Sequence, residues 1–492
     1  MSQYFIYPFS FLSIIILFLG CSEATAAPNL HSIYTNEKQI TFENDGLKVK
    51  AYEGKINVPE NRSNPNSRLI PINYIRFPST GTTSSPPIIY LSGGPGGSGI
   101  ATAQYPNFRF PLFMAMREFG DVIALDQRGT GASRNETRCV SKQTIPLTKS
   151  ASDTEITSIY REAAKDCIEL WKQQGIDYLG YTTLESAHDI EALRTHFKAK
   201  KVTLWGISYG SHLAFASLKV MGDKIDKLII ASAEGLDQTV KLPARTDAYF
   251  ERLQAALNQQ PKAAKLYPNI KSMINRVHKK LERNPISIKI SQEKGEPKDF
   301  LFQRVHMQGI ASRMIADPQR GVVRLLQLYN ALDHDITQVL PSIVKRTKLD
   351  DGRIVFDVMP FAMDIASGVS LEREKIIRKQ AASSLLGNML NFPMPQLNKV
   401  VDGLELGDDF RTYPKSNVPT LLLTGTLDGR TYIQSQREAT QGLSDLTQVI
   451  IKNAGHNLFM VSPEVTHIIQ QFMKDQEIEI KEIEIELPRF VK

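Results

Sequence analysis

The sequence predicts an α/β fold: a mostly parallel central sheet, helices on both faces, and a large, mainly helical insertion after the sixth strand. Three observations carry it. Short β-like apolar runs at 87–91, 121–125, 201–205, 227–232, 419–424 and 447–452 alternate with stretches of helical periodicity. One of these runs enters Gly206-Ile207-Ser208-Tyr209-Gly210 and leaves into the helix-like run 212–218. The strand at 419–424 arrives about 185 residues after the previous one, far beyond an ordinary connection in such a sheet.

Before the sheet, residues 11–19 form a nine-residue stretch with one Ser and otherwise apolar side chains, too short to span a bilayer. Small residues ending in Ala24-Thr25-Ala26-Ala27 follow, so residues 1–26 read as an export signal cleaved after Ala26. The n-region lacks Lys and Arg. Phe18-Leu19-Gly20-Cys21 offers an alternative, a lipoprotein site with Cys21 as lipid anchor. Either reading places the protein outside the cytoplasm, in a periplasmic or extracellular setting or held at a membrane.

The mature body, about 465 residues with no second long apolar run, is large enough for a sizeable core. Its formal charge of +7 comes from scattered Lys and Arg, without the basic block or aromatic-interleaved stripe of a nucleic-acid binder. With Cys21 in the signal, Cys139 and Cys167 remain. Under oxidising conditions such a pair favours a disulfide, with two buried free thiols as the alternative. Two Cys without a nearby His cluster imply no metal site.

Residues 51–58 and 68–77, separated by a turn-rich stretch, read as antiparallel strands at a sheet edge. The strand 87–91 runs into Ser92-Gly93-Gly94-Pro95-Gly96-Gly97-Ser98-Gly99, five glycines in eight residues. No Gly-Lys-Ser/Thr follows, which excludes a phosphate cradle. After the third strand, such a loop supplies the Gly94 N–H to an oxyanion hole, with the Tyr209 N–H as the other half. A helix at 110–119 precedes the strand 121–125, and Asp126-Gln127-Arg128-Gly129 is its exit turn, braced by Asp126 and Arg128. Further helices are read at 156–175 and 183–197.

Ser208, on a sharp strand-to-helix turn, is the candidate nucleophile. Asp428 follows the strand 419–424 as candidate acid, ahead of Asp408 and Asp409, which no buried strand precedes. His456 follows the strand 447–452 in a Gly-His loop, while His188 and His196 fall on helical stretches. The chain order Ser, Asp, His suits general-base activation of a hydroxyl. No cofactor is required.

Gly93-Gly94-Pro95-Gly96-Gly97-Ser98-Gly99, Asp126-Gln127-Arg128-Gly129, Gly206-Ile207-Ser208-Tyr209-Gly210 and Gly425-Thr426-Leu427-Asp428 resemble the proline iminopeptidase and tripeptidyl aminopeptidase family of α/β-hydrolase serine peptidases. The paired cysteines and Tyr181-Thr182-Thr183 with Ala187-His188-Asp189 resemble its secreted tripeptidyl branch. One departure is Ser92, where proline iminopeptidases have His, so strict proline specificity is not implied. The long gap before the strand 419–424 divides the body into a core at 27–236 and 416–492, interrupted by a cap at 237–415; the resemblance implies that this core is a hydrolase. It also implies acids near the cap that hold a peptide's amino group, and Glu234 and Asp364 fit. A turn role for Glu234 and an internal Lys or Arg partner for Asp364 are the alternatives.

The insertion shows helical stripes through Tyr249, Met273 and Val322, and a hairpin at 287–290 and 300–302. Alternating apolar residues at 478–487 read as a C-terminal edge strand, with a parity switch at Lys481-Glu482 that marks a bulge or a break between two short strands. The resemblance implies an exported serine exopeptidase acting on peptides. A carboxylic-ester hydrolase with the same triad, or a noncatalytic binding protein on this scaffold, are the other classes.

Overall fold

The computed structural model describes residues 36–491 apart from 45, 83–84, 107–108 and 294, and the side chain of 320. The export segment and Cys21 lie outside the described residues. The strands among the described residues follow in chain order: β1 (Lys38–Asn44), β2 (Leu47–Pro59), β3 (Leu69–Phe77), β4 (Ile88–Leu91), β5 (Val122–Leu125), β6 (Cys139–Thr144), β7 (Val202–Ile207), β8 (Ile225–Ala231), β9 (Ile286–Ile290), β10 (Lys298–Phe302), β11 (Arg353–Phe356), β12 (Thr420–Gly425), β13 (Leu446–Lys452) and β14 (Glu482–Glu484). Ten of them form one sheet in the order β1-β2-β3-β5-β4-β7-β8-β12-β13-β14. The pairs from β1 to β5 are antiparallel, and every pair from β5 to β14 is parallel.

Central strands β4, β5, β7 and β12 are buried at every position, which is why each reads as a continuous apolar run. Tyr90, Phe113, Trp205 and Phe459 meet in edge-on and tilted pairs with centroids 4.7–5.5 Å apart, filling one face. The helix Asp153–Gln173 begins in a reciprocal capping box between Ser152 and Glu155, each satisfying the other's backbone N–H.

Three expectations change. β1 has no clear strand signature, because its apolar and polar residues alternate weakly. It lies outside β2, so the β2–β3 hairpin is not the sheet edge, and the insertion follows the seventh rather than the sixth strand of the sheet. The tail forms only the three-residue β14, parallel to β13 at the opposite edge, with Lys481 and Ile485 on either side bonded to β13 through the Lys481 carbonyl and the Ile485 N–H. The short pair β6–β11 is an addition to the expected elements. It joins the excursion after β5 to the insertion, and Cys139 on β6 is disulfide-bonded to Cys167 on the helix Asp153–Gln173.

Between β8 and β12 the chain is chiefly helical, with the antiparallel hairpin β9–β10. The helices Pro243–Asn258, Ile270–Arg283 and Val323–Asp333 carry the expected stripes inward, burying Leu253, Ile274 and Tyr329. The same apolar cluster takes in Leu427, Tyr432 and Phe490 from outside the insertion.

Candidate active site

Ser208 stands between β7 and the helix Tyr209–Met221 with φ 55° and ψ −126°. A non-glycine residue in this region is strained, and the surrounding packing must hold it there. The two flanking glycines are required by space. A Cβ on Gly206 would lie 2.7 Å from the Gly210 carbonyl oxygen, and one on Gly210 would lie 2.1 Å from that of Leu91. The turn therefore closes only with glycine on both sides, and it lifts the serine clear of the sheet. Tyr209, first in the helix, has a backbone N–H without an intrahelical acceptor. Its side chain is buried and its hydroxyl lies 3.3 Å from Thr183 Oγ1.

The glycine-rich loop lies against this elbow. A Cβ on Gly93 would sit 3.0 Å from the Ile207 carbonyl oxygen and 3.3 Å from Ser208 Cβ, so any side chain here would have to push this neighbouring turn back by a few tenths of an ångström. Gly94 adopts φ 129°. The turn after β5 anchors the loop. Asp126 accepts from Ser98 Oγ at 2.6 Å, Ile100 N at 3.0 Å and Ala132 N at 2.7 Å. Gln127 Nε2 donates to the Ser92 carbonyl at 3.1 Å. Buried Arg128 donates to both oxygens of Asp189 at 2.7 Å and to the Glu60 and Gly180 carbonyls. Both Asp126 and Arg128 thus brace the turn.

Asp428 is wholly buried beyond β12. His456 Nδ1 lies 2.9 Å from Asp428 Oδ2, which also accepts from Thr431 Oγ1 at 2.6 Å. Oδ1 accepts the backbone N–H groups of Arg430 at 2.7 Å and Thr431 at 2.9 Å. Burial alone would raise the Asp428 pKa, but the charge and hydrogen bond of His456, with the Thr431 bonds, hold it below the usual carboxylate range. An ionised Asp428 keeps a proton on Nδ1 and leaves Nε2 as acceptor. The His456 loop is fixed by its N–H, which donates to the Ala316 carbonyl at 2.8 Å, and by its own carbonyl, which accepts from Ser232 Oγ at 2.7 Å.

Ser208, Gly94 and His456 line one cavity of about 560 Å³, which Arg313, Asp364 and residues 390–394 of the insertion also line. Glu234 and Asp364 both line it. Buried Glu234 pairs with Lys241 Nζ at 2.9 Å. Burial pushes Glu234 up, but Lys241 and His212 outweigh it and keep it below its ordinary pKa. Asp364, half-buried on the helix Val358–Ser367, has no ion-pair partner among the described residues. Burial and then the charge of Glu234 push it up to about 7. Among the described residues Lys241 and Arg430 act on Asp364 only at longer range, without an ion pair.

The other candidates lie elsewhere. Asp408 pairs with Arg411, and His188 and His196 sit on the helix Thr183–His196. Lys241, Arg313 and Arg430 line the cavity without a motif that singles them out in the sequence. Arg430 has a usable signal, its place two residues after the acid.

The site and sheet define the class, and the comparison with known families agrees. The chain belongs to the α/β-hydrolase fold family, whose model matches residues 86–463. Among curated relatives, a tripeptidyl aminopeptidase of Streptomyces coelicolor is 27% identical over 189 residues, covering 36% of this chain and 34% of that protein. The serine protease Hip1 of Mycobacterium tuberculosis is 26% identical over 186 residues, covering 37% and 35%. The chain thus matches about a third of the length of these relatives. A solved proline iminopeptidase-related protein of Thermus thermophilus aligns at 14% identity and TM-score 0.36, covering 86% of this chain and 97% of that one.

Proposed function

We propose that the protein is an exported serine exopeptidase of aminopeptidase or tripeptidyl aminopeptidase type, acting on peptides near their free N-termini. The observation that carries this reading is the cavity itself. It joins a strained serine and an Asp-paired histidine to a carboxylate, Asp364, that has no ion-pair partner among the described residues. The insertion acts as a cap over the site.

The proposed chemistry is that of a serine hydrolase. Ser208 Oγ attacks the scissile carbonyl carbon as its proton passes to His456 Nε2, and Asp428 stabilises the imidazolium. The Gly94 and Tyr209 N–H groups carry the charge on the tetrahedral oxygen, worth about 3–4 kcal/mol per donor in serine proteases. Collapse breaks the C–N bond, and the Nε2 proton goes to the leaving amine. Water, deprotonated by His456, then releases the acyl group from Ser208. An α-ammonium entering the cavity meets Asp364 and, beside it, Glu234.

The first test is active-site labelling. A fluorophosphonate probe should label the wild type and not Ser208→Ala, and Ser208→Ala and His456→Ala should each lower turnover by several orders of magnitude. Retained turnover in Ser208→Ala would remove the serine-hydrolase reading. The second test separates exopeptidase from esterase. N-acetylated peptides should be poor substrates, and Glu234→Gln or Asp364→Asn should weaken cleavage of free-amine peptides by about 1.5–3 kcal/mol. Equal kcat/KM for free and acetylated peptides would move the reading to a carboxylic-ester hydrolase.

A further inference from the structure

Past Arg313 and Phe392, which line both spaces, the catalytic cavity adjoins a second one of about 620 Å³. It is formed by residues 145–160 and by the insertion, and none of the triad candidates reaches it. Its volume falls within the range of ligand sites, room for a few peptide residues.

Position relates it to the reaction. Arg313 lies in the last turn of the helix Arg304–Met314, and three residues on, the Ala316 carbonyl accepts the His456 N–H at 2.8 Å. The histidine returns a proton to the departing amine, so the leaving segment exits on its side. The opening at Arg313 is tied to that side.

Charge indicates the chemistry. Lys149, Arg304, Arg313, Lys348, Arg353 and Arg378 line the second cavity, against one carboxylate, Asp153, which accepts from Asn388. Arg304, Arg353 and Arg378 have partners in Glu282, Asp351 and Glu374. Lys149, Arg313 and Lys348 are exposed and have no ion-pair partner among the described residues. Lys149 and Lys348 feel Glu155 and Asp351 at longer range only. Leu147, Tyr160, Leu349 and Met389 supply apolar wall between these cations.

We infer that this second cavity receives the leaving-side segment of an acidic peptide, its carboxylates meeting Lys149, Arg313 and Lys348. The inference rests on the peptidase reading above and names the substrate class. The first cavity holds the amino end with carboxylates, and the second holds the carboxyl-rich end with cations. A neutral or basic leaving segment would leave those three cations without partners.

The test uses the full chain and pairs of free-amine fluorogenic peptides, identical up to the scissile bond and followed by Asp/Glu or by Asn/Gln. In the wild type at low salt the acidic peptide should have a kcat/KM about tenfold higher, the sum expected of two or three partly exposed ion pairs. In about 1 M salt the ratio should shrink toward one. Lys149→Glu/Lys348→Glu should bring it below one, and because each ratio is taken within one protein, a general loss of activity cancels. A wild-type ratio near one, or a ratio unchanged in the double variant, overturns the inference while leaving the peptidase reading intact. If the probe labels Ser208 but neither peptide is cleaved, both readings fall together.

Discussion

Asp364 is the residue whose ionisation has the widest consequences. Its folded pKa of about 7 lies above the ordinary carboxylate value, so between the two the folded protein binds more protons than the unfolded chain. Stability therefore falls as pH rises through that window and stays lower above it. Asp364→Asn removes the penalty and should raise stability by about 2 kcal/mol at pH 8, discounted for the carboxylate's contact with the cavity, with no gain at pH 4. Denaturant melts at the two pH values would show it, and an equal effect at both would rule out a buried charge as the cause. The same ionisation shapes recognition. A peptide ammonium titrates near 8, so ion pairing requires a pH above about 7 and below about 8. The ratio of kcat/KM for free over acetylated peptide, in which effects common to both substrates cancel, should rise from pH 5.5 to 7.5. In Asp364→Asn that rise should vanish. Ser208, Asp428 and His456 are legible in the sequence because each sits in a short pattern joining a strand end to a turn. Lys241 and Arg313 are not, since nothing local says which of many scattered cations faces a cavity formed by distant segments.

At the scale of elements, the buried parallel strands are the easiest to read, because burial on both faces makes them continuous apolar runs. β1, β6 and β11 lack that signature; they are short or half-exposed and are held by pairing with strands that sequence alone does not specify. The Cys139–Cys167 bond matters most for this weaker structure. It closes a loop with a separation of 28 residues and ties β6, and through it β11 of the insertion, to the helix Asp153–Gln173. Both cysteines are buried, so they cannot be replaced by hydrated thiols without cost. In the chain-entropy account the crosslink contributes about 3–4 kcal/mol. Cys139→Ala/Cys167→Ala should lower stability in urea by that amount. The junction would then keep the β6–β11 pairing, the bonds from Ser141 and Lys142 to Asp166 on that helix, and Arg138 and Arg134 paired with Asp357 just past β11. A variant as stable as the wild type would mean that these contacts suffice alone.

The whole molecule behaves as one compact unit from Asn36 onward, although the chain leaves the sheet at β8 and returns only at β12. The reason lies in shared core rather than in surface contact. Tyr432, after β12, is buried with the insertion's apolar residues and its hydroxyl bonds Thr246 on the helix Pro243–Asn258. Arg252 on the same helix donates to the Thr426 carbonyl at 3.0 Å, and His456 N–H reaches back to Ala316. Phe490, fully buried near the end of the chain, fills the same cluster, with Gln260 Nε2 donating to the Pro488 carbonyl at 2.8 Å beside it. An insertion that shares its core with the sheet's connections cannot melt while the sheet stays intact, so unfolding should be a single cooperative transition. Phe490→Ala, which opens a cavity where sheet tail and insertion meet, should cost about 3–5 kcal/mol. Scanning calorimetry on wild type and variant gives the check. The expected outcome is one peak moved to lower temperature, with calorimetric and van't Hoff enthalpies in agreement. A separate early shoulder in Phe490→Ala would show that the insertion melts by itself, and the histidine loop held by Ala316 would then lose its support before the sheet unfolds.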